Sequence, residues 1–514
     1  MGVLEDVRRA VDSIRPRVID TWPRGTKTPR VAVIGAGFSG LGMAVRLRQH
    51  GIESFTIYEK AASLGGTWRD NTYPGAACDV PSHLYSFSFH NKRDWTRKFA
   101  EQPEILDYLE HLADEHGLRD RIRFDTEVVS AEFDDETLTW RLRTTNVADG
   151  TTDEVQVDVI VAGTGQLNRP HIPDLPGLDD FEGVAFHSAR WRHDHDLHGR
   201  DVAVIGNGAS AIQFVPPVAD QARSVTIFQR STNYVAPKPD RAFRERERWL
   251  LAHVAPLQRL YRWSIYWRLE ARFFLFRRDS RMGRWAQRKF ADGLRPLVSD
   301  RVTEAVLIPD YPIGCKRILI SNDWYPAITK PSVRSVTSPI ERIERDAVVT
   351  ADGERHPADT MIFGTGFEAT RFLGPMDVWG SGGRKLDDAW ADGAEAHLGI
   401  TVAGFPNLFL LYGPNTNLGH NSILVMVERQ VEYVLRCLDA LADRGARAID
   451  VDPEVMATYN ARVQDDLTRT VWAAACASWY KTAAGRITQN WPSFTVAYWR
   501  DTWRPRLRDF AFRR

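Results

Sequence analysis

VAVIGAGFSG, residues 31–40, begins as an apolar strand and runs into Gly35, Gly37 and Gly40 at GxGxxG spacing. LGMAVRLRQHG follows with the apolar spacing of a helix and stops at Gly51, and SFTIYEK then reads as a second strand ending at Glu59. Strand, glycine turn, helix and strand make a βαβ unit. Glycines at these positions let the backbone turn tightly and approach a pyrophosphate, whose charge rests on the amides at the helix start. Glu59 stands 24 residues after Gly35, where a carboxylate accepts hydrogen bonds from a ribose 2'-hydroxyl. A glycine turn alone occurs in many α/β proteins; the acid ending the second strand makes this one a dinucleotide site.

The same five letters, VAVIG, return at 202–206, 171 positions further on. This copy continues as VAVIGNGASAIQ, with Gly206, Gly208, Ser210 and Gln213, and closes on SVTIFQR. That strand ends at Arg230, again 24 residues after the first glycine of its loop. A carboxylate there would repel the 2'-phosphate of NADP, whereas a guanidinium pairs with it. The two copies therefore predict FAD in the first loop and NADPH in the second. A second echo, DVIVAGTG at 158–165 and DTMIFGTG at 359–366, supports two interleaved domains, the first marking an exit and the second a return. The proline-rich LNRPHIPDLPG at 167–177 reads as a rigid connector.

The fold expected is α/β, with two Rossmann-like dinucleotide-binding domains, the second inserted in the first, and a helical insertion. An N-terminal extension at 1–29 precedes an FAD domain formed by 30–170 and 360–514. An NADPH domain at 180–355 carries the insertion at about 240–305.

Composition narrows the function classes. A chain of 514 residues exceeds one ordinary core. Lys plus Arg balance Asp plus Glu at 67 each, so no overall field draws nucleic acid. Cys78, Cys315, Cys437 and Cys476 include no CxxC pair, which reads as reduced cytosolic thiols rather than a disulfide framework or a metal site. The N-terminus lacks the apolar core of a signal peptide, and no apolar run approaches the roughly 18 residues of a membrane span. A cytoplasmic protein is expected.

Two longer motifs carry a family resemblance. GGTWRDNTYPGAACD at 65–79 matches GGxWxxxxYPGxxxD at every fixed position, and FEGVAFHSARWR at 181–192 matches FxGxxxHxxxW through Phe181, Gly183, His187 and Trp191. The chain from about residue 30 onward resembles the class B flavoprotein monooxygenases and, within them, the Baeyer-Villiger monooxygenases. Arg192 departs from the Pro or Asp that usually ends the second motif.

The resemblance implies an enzyme in which NADPH reduces FAD, the reduced flavin captures O2 as a peroxide, and that peroxide attacks a ketone to give an ester or lactone. Such chemistry calls for a permanent cation beside the flavin. By similarity of YPIGCKRILISNDWY, 311–325, to the family segment with adjacent Lys and Arg, Arg317 is the expected catalytic cation. Lys316, with Arg230 and Ser231, is expected at the NADP 2'-phosphate. Asp79 matches the aspartate that pairs with the arginine. Ser39 is expected at the pyrophosphate turn, Thr67 and Trp68 beside the flavin, and Tyr85 near the ribityl chain. His187 is placed by the family on the linker, which gives it a structural role. The segment 404–422 is expected to run from strand to turn to helix near the flavin.

Between 241 and 300, 15 basic residues stand against six acids and are interleaved with tryptophans. A helical cover with solvated arginines is expected there, rather than a stretch lying on an anionic membrane. The small-molecule partners expected are a ketone and O2. Two alternatives stay open: N- or S-oxygenation of amines or sulfides, and a flavin disulfide reductase or redox-sensing protein on the same scaffold, the reductase disfavoured by the missing CxxC.

Overall fold

The structure, a computed structural model, describes residues 28–298, 304, 306–476, 478–482 and 484–514; of the expected extension at 1–29, only Thr28 and Pro29 lie within them. Two five-stranded sheets organise the chain. The first is built from β1 (Val31–Ile34), β2 (Phe55–Tyr58), β3 (Ile122–Arg123), β7 (Val159–Ala162) and β14 (Leu408–Leu410), in the order β14-β7-β1-β2-β3. Every pairing in it is parallel. β4 (Thr126–Asp134), β5 (Thr139–Asn146), β6 (Thr152–Val157) and β13 (Asp377–Trp379) form a four-stranded sheet beside it.

The second sheet contains β8 (Val184–His187), β9 (Asp201–Ile205), β10 (Ser224–Phe228), β11 (Val333–Val336) and β12 (Thr360–Phe363), in the order β11-β10-β9-β12-β8. It too is parallel throughout. VAVI in β1, VIVA in β7 and TMIF in β12 are buried at all four positions, as strands covered on both faces must be.

The repeated letters are repeated geometry. Gly35 has φ +98°, and a Cβ on it would stand 2.8 Å from the Gly163 carbonyl oxygen. Gly206 has φ +99°, and its Cβ would stand 2.7 Å from the Gly364 oxygen. Each glycine loop thus leans on the GTG turn of the neighbouring strand, which explains the second echo. That role corrects one expected boundary. β12 pairs with β9 and β8 inside the second sheet, so the return to the first unit begins after β12 and not at 360.

The helical insertion follows as α3 (Glu245–His253), α4 (Ala255–Glu270) and α5 (Arg281–Leu294). Its inner side is anchored: Glu270 is buried and accepts from the Asn421 amide at 2.7 Å. Its outer side exposes Trp249, Leu260 and Trp285. No helix among the described residues is long and apolar enough to cross a membrane.

The cysteines depart from expectation. Cys315 and Cys476 form a disulfide across 161 residues with their Cα atoms 6.5 Å apart, while Cys78 and Cys437 are free and buried. Sequence spacing carries no signal for such a pair, because folding and not proximity along the chain brings the two together.

Candidate active site

The two glycine loops face one cleft of about 870 Å³, lined from both sheets and from the Lys316–Arg317 segment. That volume lies at the upper end for ligand sites, as long cofactors require. On the first side stand Gly35, Gly37, Ser39, Glu59, Thr67, Trp68, Asp79 and Tyr85; on the second stand Gly208, Ser210, Gln213 and Arg230. Gly40, Gly206 and Ser231 are not among the lining residues.

Both loops feed helices whose first amides are left for a ligand. α1 (Phe38–Gln49) starts at Gly37, and α2 (Ala211–Ala219) starts at Ser210; neither start has a side-chain cap or an acid in its first turn. Orphan N–H groups at a helix start attract a phosphate. The donor set fits a pyrophosphate at each loop.

Glu59 is buried at the end of β2. Its carboxylate accepts from the Ala36 amide at 2.8 Å, the Ala61 amide at 3.0 Å and Arg69 Nη1 at 3.0 Å. These bonds fix the acid where it borders the cleft. Arg69 was not anticipated, although it stands inside the 65–79 motif. Trp68 Nε1 donates to the Tyr85 hydroxyl at 3.1 Å, holding both aromatic rings on the same wall.

Arg230 is exposed at the end of β10. Lys316 donates to the Ser231 hydroxyl and lies over the Tyr311 ring, 4.7 Å from its centre. Burial lowers the Lys316 pKa, and the positive charge of Arg230 lowers it further. Two converging cations repel each other unless an anion sits between them.

Gln213 lines the cleft as expected of a cofactor-side residue and also reaches across to the first unit. Its amide donates to the Ala77 carbonyl at 2.9 Å and its oxygen accepts from the Tyr73 hydroxyl at 3.0 Å. It therefore ties α2 to the 65–79 motif. Tyr73 also packs against Phe214 at 6.0 Å and Trp191 at 6.5 Å between ring centres, so the two long motifs meet at the seam between the sheets. Arg192, the departure from the second motif, is on the surface with Asp194.

Arg317 donates to Asp79, 238 residues away in sequence. The guanidinium keeps 38 % of its surface accessible, and that surface faces the cleft. Asp79 raises the Arg317 pKa above its ordinary value despite burial, so the cation is permanent. Tyr412 and Tyr480, both on the cleft, add to its electrostatic surroundings. Tyr412 belongs to the 404–422 segment expected near the flavin. Behind Tyr412, α6 (Ile423–Arg444) starts without a side-chain cap, and its Leu424 and Val427 line the cleft.

His187 is buried, and its ring is fully used: Nδ1 accepts from the Ala189 amide at 3.1 Å and Nε2 donates to the Gly366 carbonyl at 3.0 Å. Burial pushes its pKa down to about 4. It is a neutral strut between the ends of β8 and β12.

Residues 28–373 match the model of the flavin-binding monooxygenase-like family. A Baeyer-Villiger monooxygenase of Streptomyces coelicolor is 45% identical over 483 residues, covering 94% of this chain and 92% of that one. The chain belongs to this family. More narrowly, it is a class B flavin monooxygenase of the Baeyer-Villiger group. A Baeyer-Villiger monooxygenase of Pseudomonas aeruginosa is 42% identical, covering 92% of this chain and 89% of its own. Among solved structures, an oxidised steroid monooxygenase bound to NADP superposes with a TM-score of 0.82 at 31% identity, covering 95% of this chain and 100% of that one. A closed cyclohexanone monooxygenase gives 0.83 at 27% identity, over 95% and 99%. The two-lobed Rossmann-like architecture is shared with both.

Proposed function

We propose that this enzyme inserts one atom of O2 into a ketone to give an ester or lactone, with FAD at the β1 loop and NADPH at the β9 loop. Bound together, the two cofactors supply the hydride and the two-electron activation of oxygen. The chain supplies binding, orientation and charge. The amides starting α1 and α2 hold the pyrophosphates, Glu59 takes the unphosphorylated ribose, and Arg230 with Lys316 and Ser231 takes the 2'-phosphate.

The observation that carries the reading is the Arg317–Asp79 pair on the cleft wall. Carbonyl addition builds negative charge on oxygen, and a fixed guanidinium stabilises it without giving up a proton. Asp79 orients the cation and tempers its charge while hydride arrives. Amine or sulfide oxygenation develops no such oxyanion and has less use for this pair.

The proposal includes a cytoplasmic location, where reduced nicotinamide is supplied. Incubating the purified holoenzyme with NADPH, O2 and a mixed panel of ketones and sulfides, followed by mass spectrometry, tests the function. Ketones gaining one oxygen as esters are expected. Sulfoxides with no esters would overturn the reading.

A further inference from the structure

The segment carrying Arg317 is bound covalently to a second wall of the cleft. Cys315 lies two residues before Arg317, and Cys476 lies close before Ser478, Trp479 and Tyr480, all three of which line the cleft. Among the described residues no hydrogen bond joins 311–320 to 474–482. The polar contacts of each segment point elsewhere. Tyr311 donates to the Thr232 carbonyl at 2.8 Å, and Lys481 donates within its own segment to the Ala474 carbonyl at 2.6 Å. Among the described residues, directional coupling between the Arg317 segment and the Trp479–Tyr480 wall therefore runs through the S–S bond. The coupling matters chemically, because Tyr480 is buried within the electrostatic reach of Arg317.

Resting on the Baeyer-Villiger reading, we propose that the Cys315–Cys476 disulfide is a positioning element for oxygenation, holding Arg317 and the Tyr480 wall in register. Cys315 itself is fully buried, whereas Cys476 is partly accessible, so one sulfur is within reach of an external thiol. A dithiol reductant attacks that sulfur, the S–S bond breaks, and two electrons and two protons leave thiols at both positions while the reductant becomes a disulfide. Oxygenation then depends on the thiol state of the protein, because a catalytic group displaced by about 1 Å loses up to about 100-fold in rate. Hydride delivery depends on it less, since of the proposed NADPH contacts Arg230 and Ser231 lie off the bridge and only Lys316 adjoins Cys315.

The test uses holoenzyme purified without reductant. Mass spectrometry of its unreduced digest is expected to show the Cys315 and Cys476 peptides joined; free, alkylatable thiols at both would overturn the proposal. A ketone turned over by the oxidised enzyme is then assayed before reduction by dithiothreitol, after it, and after reoxidation. Ester formed per NADPH consumed falls about tenfold or more, flavin bleaching by NADPH changes by much less, and reoxidation restores the ester yield. Cys315→Ser and Cys476→Ser reproduce the reduced value and no longer respond to reductant. An ester yield indifferent to reduction would refute the positioning role. Absence of ester from the oxidised enzyme would count against the Baeyer-Villiger reading alone. In that event the rate of tryptic cleavage after Lys481 decides the inference: faster cleavage on reduction supports it, and unchanged cleavage overturns it.

Discussion

At the scale of single residues, the chemistry turns on which charges are free to meet a ligand. Arg317 already has a partner in Asp79, yet over a third of its surface faces the cleft, so a developing oxyanion can share it. Arg317→Ala should leave flavin bleaching by NADPH intact while ester formation falls about 100- to 1000-fold, the usual cost of losing an oxyanion donor. Retained ester would remove Arg317 from its role. Arg230 makes a sharper comparison because the proposed assignment has it address only the extra phosphate. Arg230→Ala should raise KM for NADPH by roughly 10- to 100-fold, as expected for a lost hydrogen bond to a charged group, with NADH nearly unaffected. Equal losses with both coenzymes would show that the residue does not read the phosphate. Both arginines were legible from sequence for different reasons: Arg230 from its spacing after a glycine loop, Arg317 from the likeness of its segment. Arg69 was not, since the Glu59 partner that gives it its meaning is set by folding.

At the scale of elements, the two βαβ units show how local rules fix geometry. A Cβ on Gly40 would sit 1.8 Å from the Gly35 carbonyl oxygen, so α1 could not approach β1 as it does. Gly40→Ala should cost about 1–3 kcal/mol or more through overpacking and yield protein largely without flavin. The absorbance ratio at flavin and protein wavelengths measures it. Gly293 is the matched control: it lies in α5, and a Cβ there meets nothing within 4 Å. Gly293→Ala should keep its flavin and gain about 0.5–1 kcal/mol of stability. A flavin content unchanged in Gly40→Ala would mean the loop can shift to admit the methyl. The same logic explains the boundary missed at 360. DTMIFGTG looks like a return to the first unit because it copies DVIVAGTG, but the copy serves the second glycine loop as the original serves the first.

At the scale of the whole molecule, pH tests how its buried imidazoles are seated. His83, His187 and His397 are each lowered to about 4, in every case chiefly by burial. In the unfolded chain an imidazole takes its proton near pH 6.5. Between about 4 and 6.5 the unfolded state therefore binds more protons, so stability is complete above 6.5 and declines as pH falls towards 4. Each histidine contributes a slope of up to about 1.4 kcal/mol per pH unit. The Tm should drop clearly between pH 7 and pH 5, before most carboxylates titrate. A flat profile over that range would show that these rings accept protons in the folded state. For His187 the drop has a structural reading, since protonating Nδ1 ends its acceptance from Ala189 and loosens the strut between β8 and β12.

The sequence by itself determined the two dinucleotide units, their order, and the difference between their ribose ends. Those features arise from contacts within some 25 residues, where glycine spacing, strand pattern and a terminal charge act directly on the backbone. Tertiary structure alone decided that Gln213 binds the 65–79 motif, that β12 stays with the second sheet, and that Cys315 and Cys476 become one bridge. Each of these joins residues from 136 to 161 positions apart. Packing of the two sheets across their seam creates such contacts, and no local pattern in the chain encodes them.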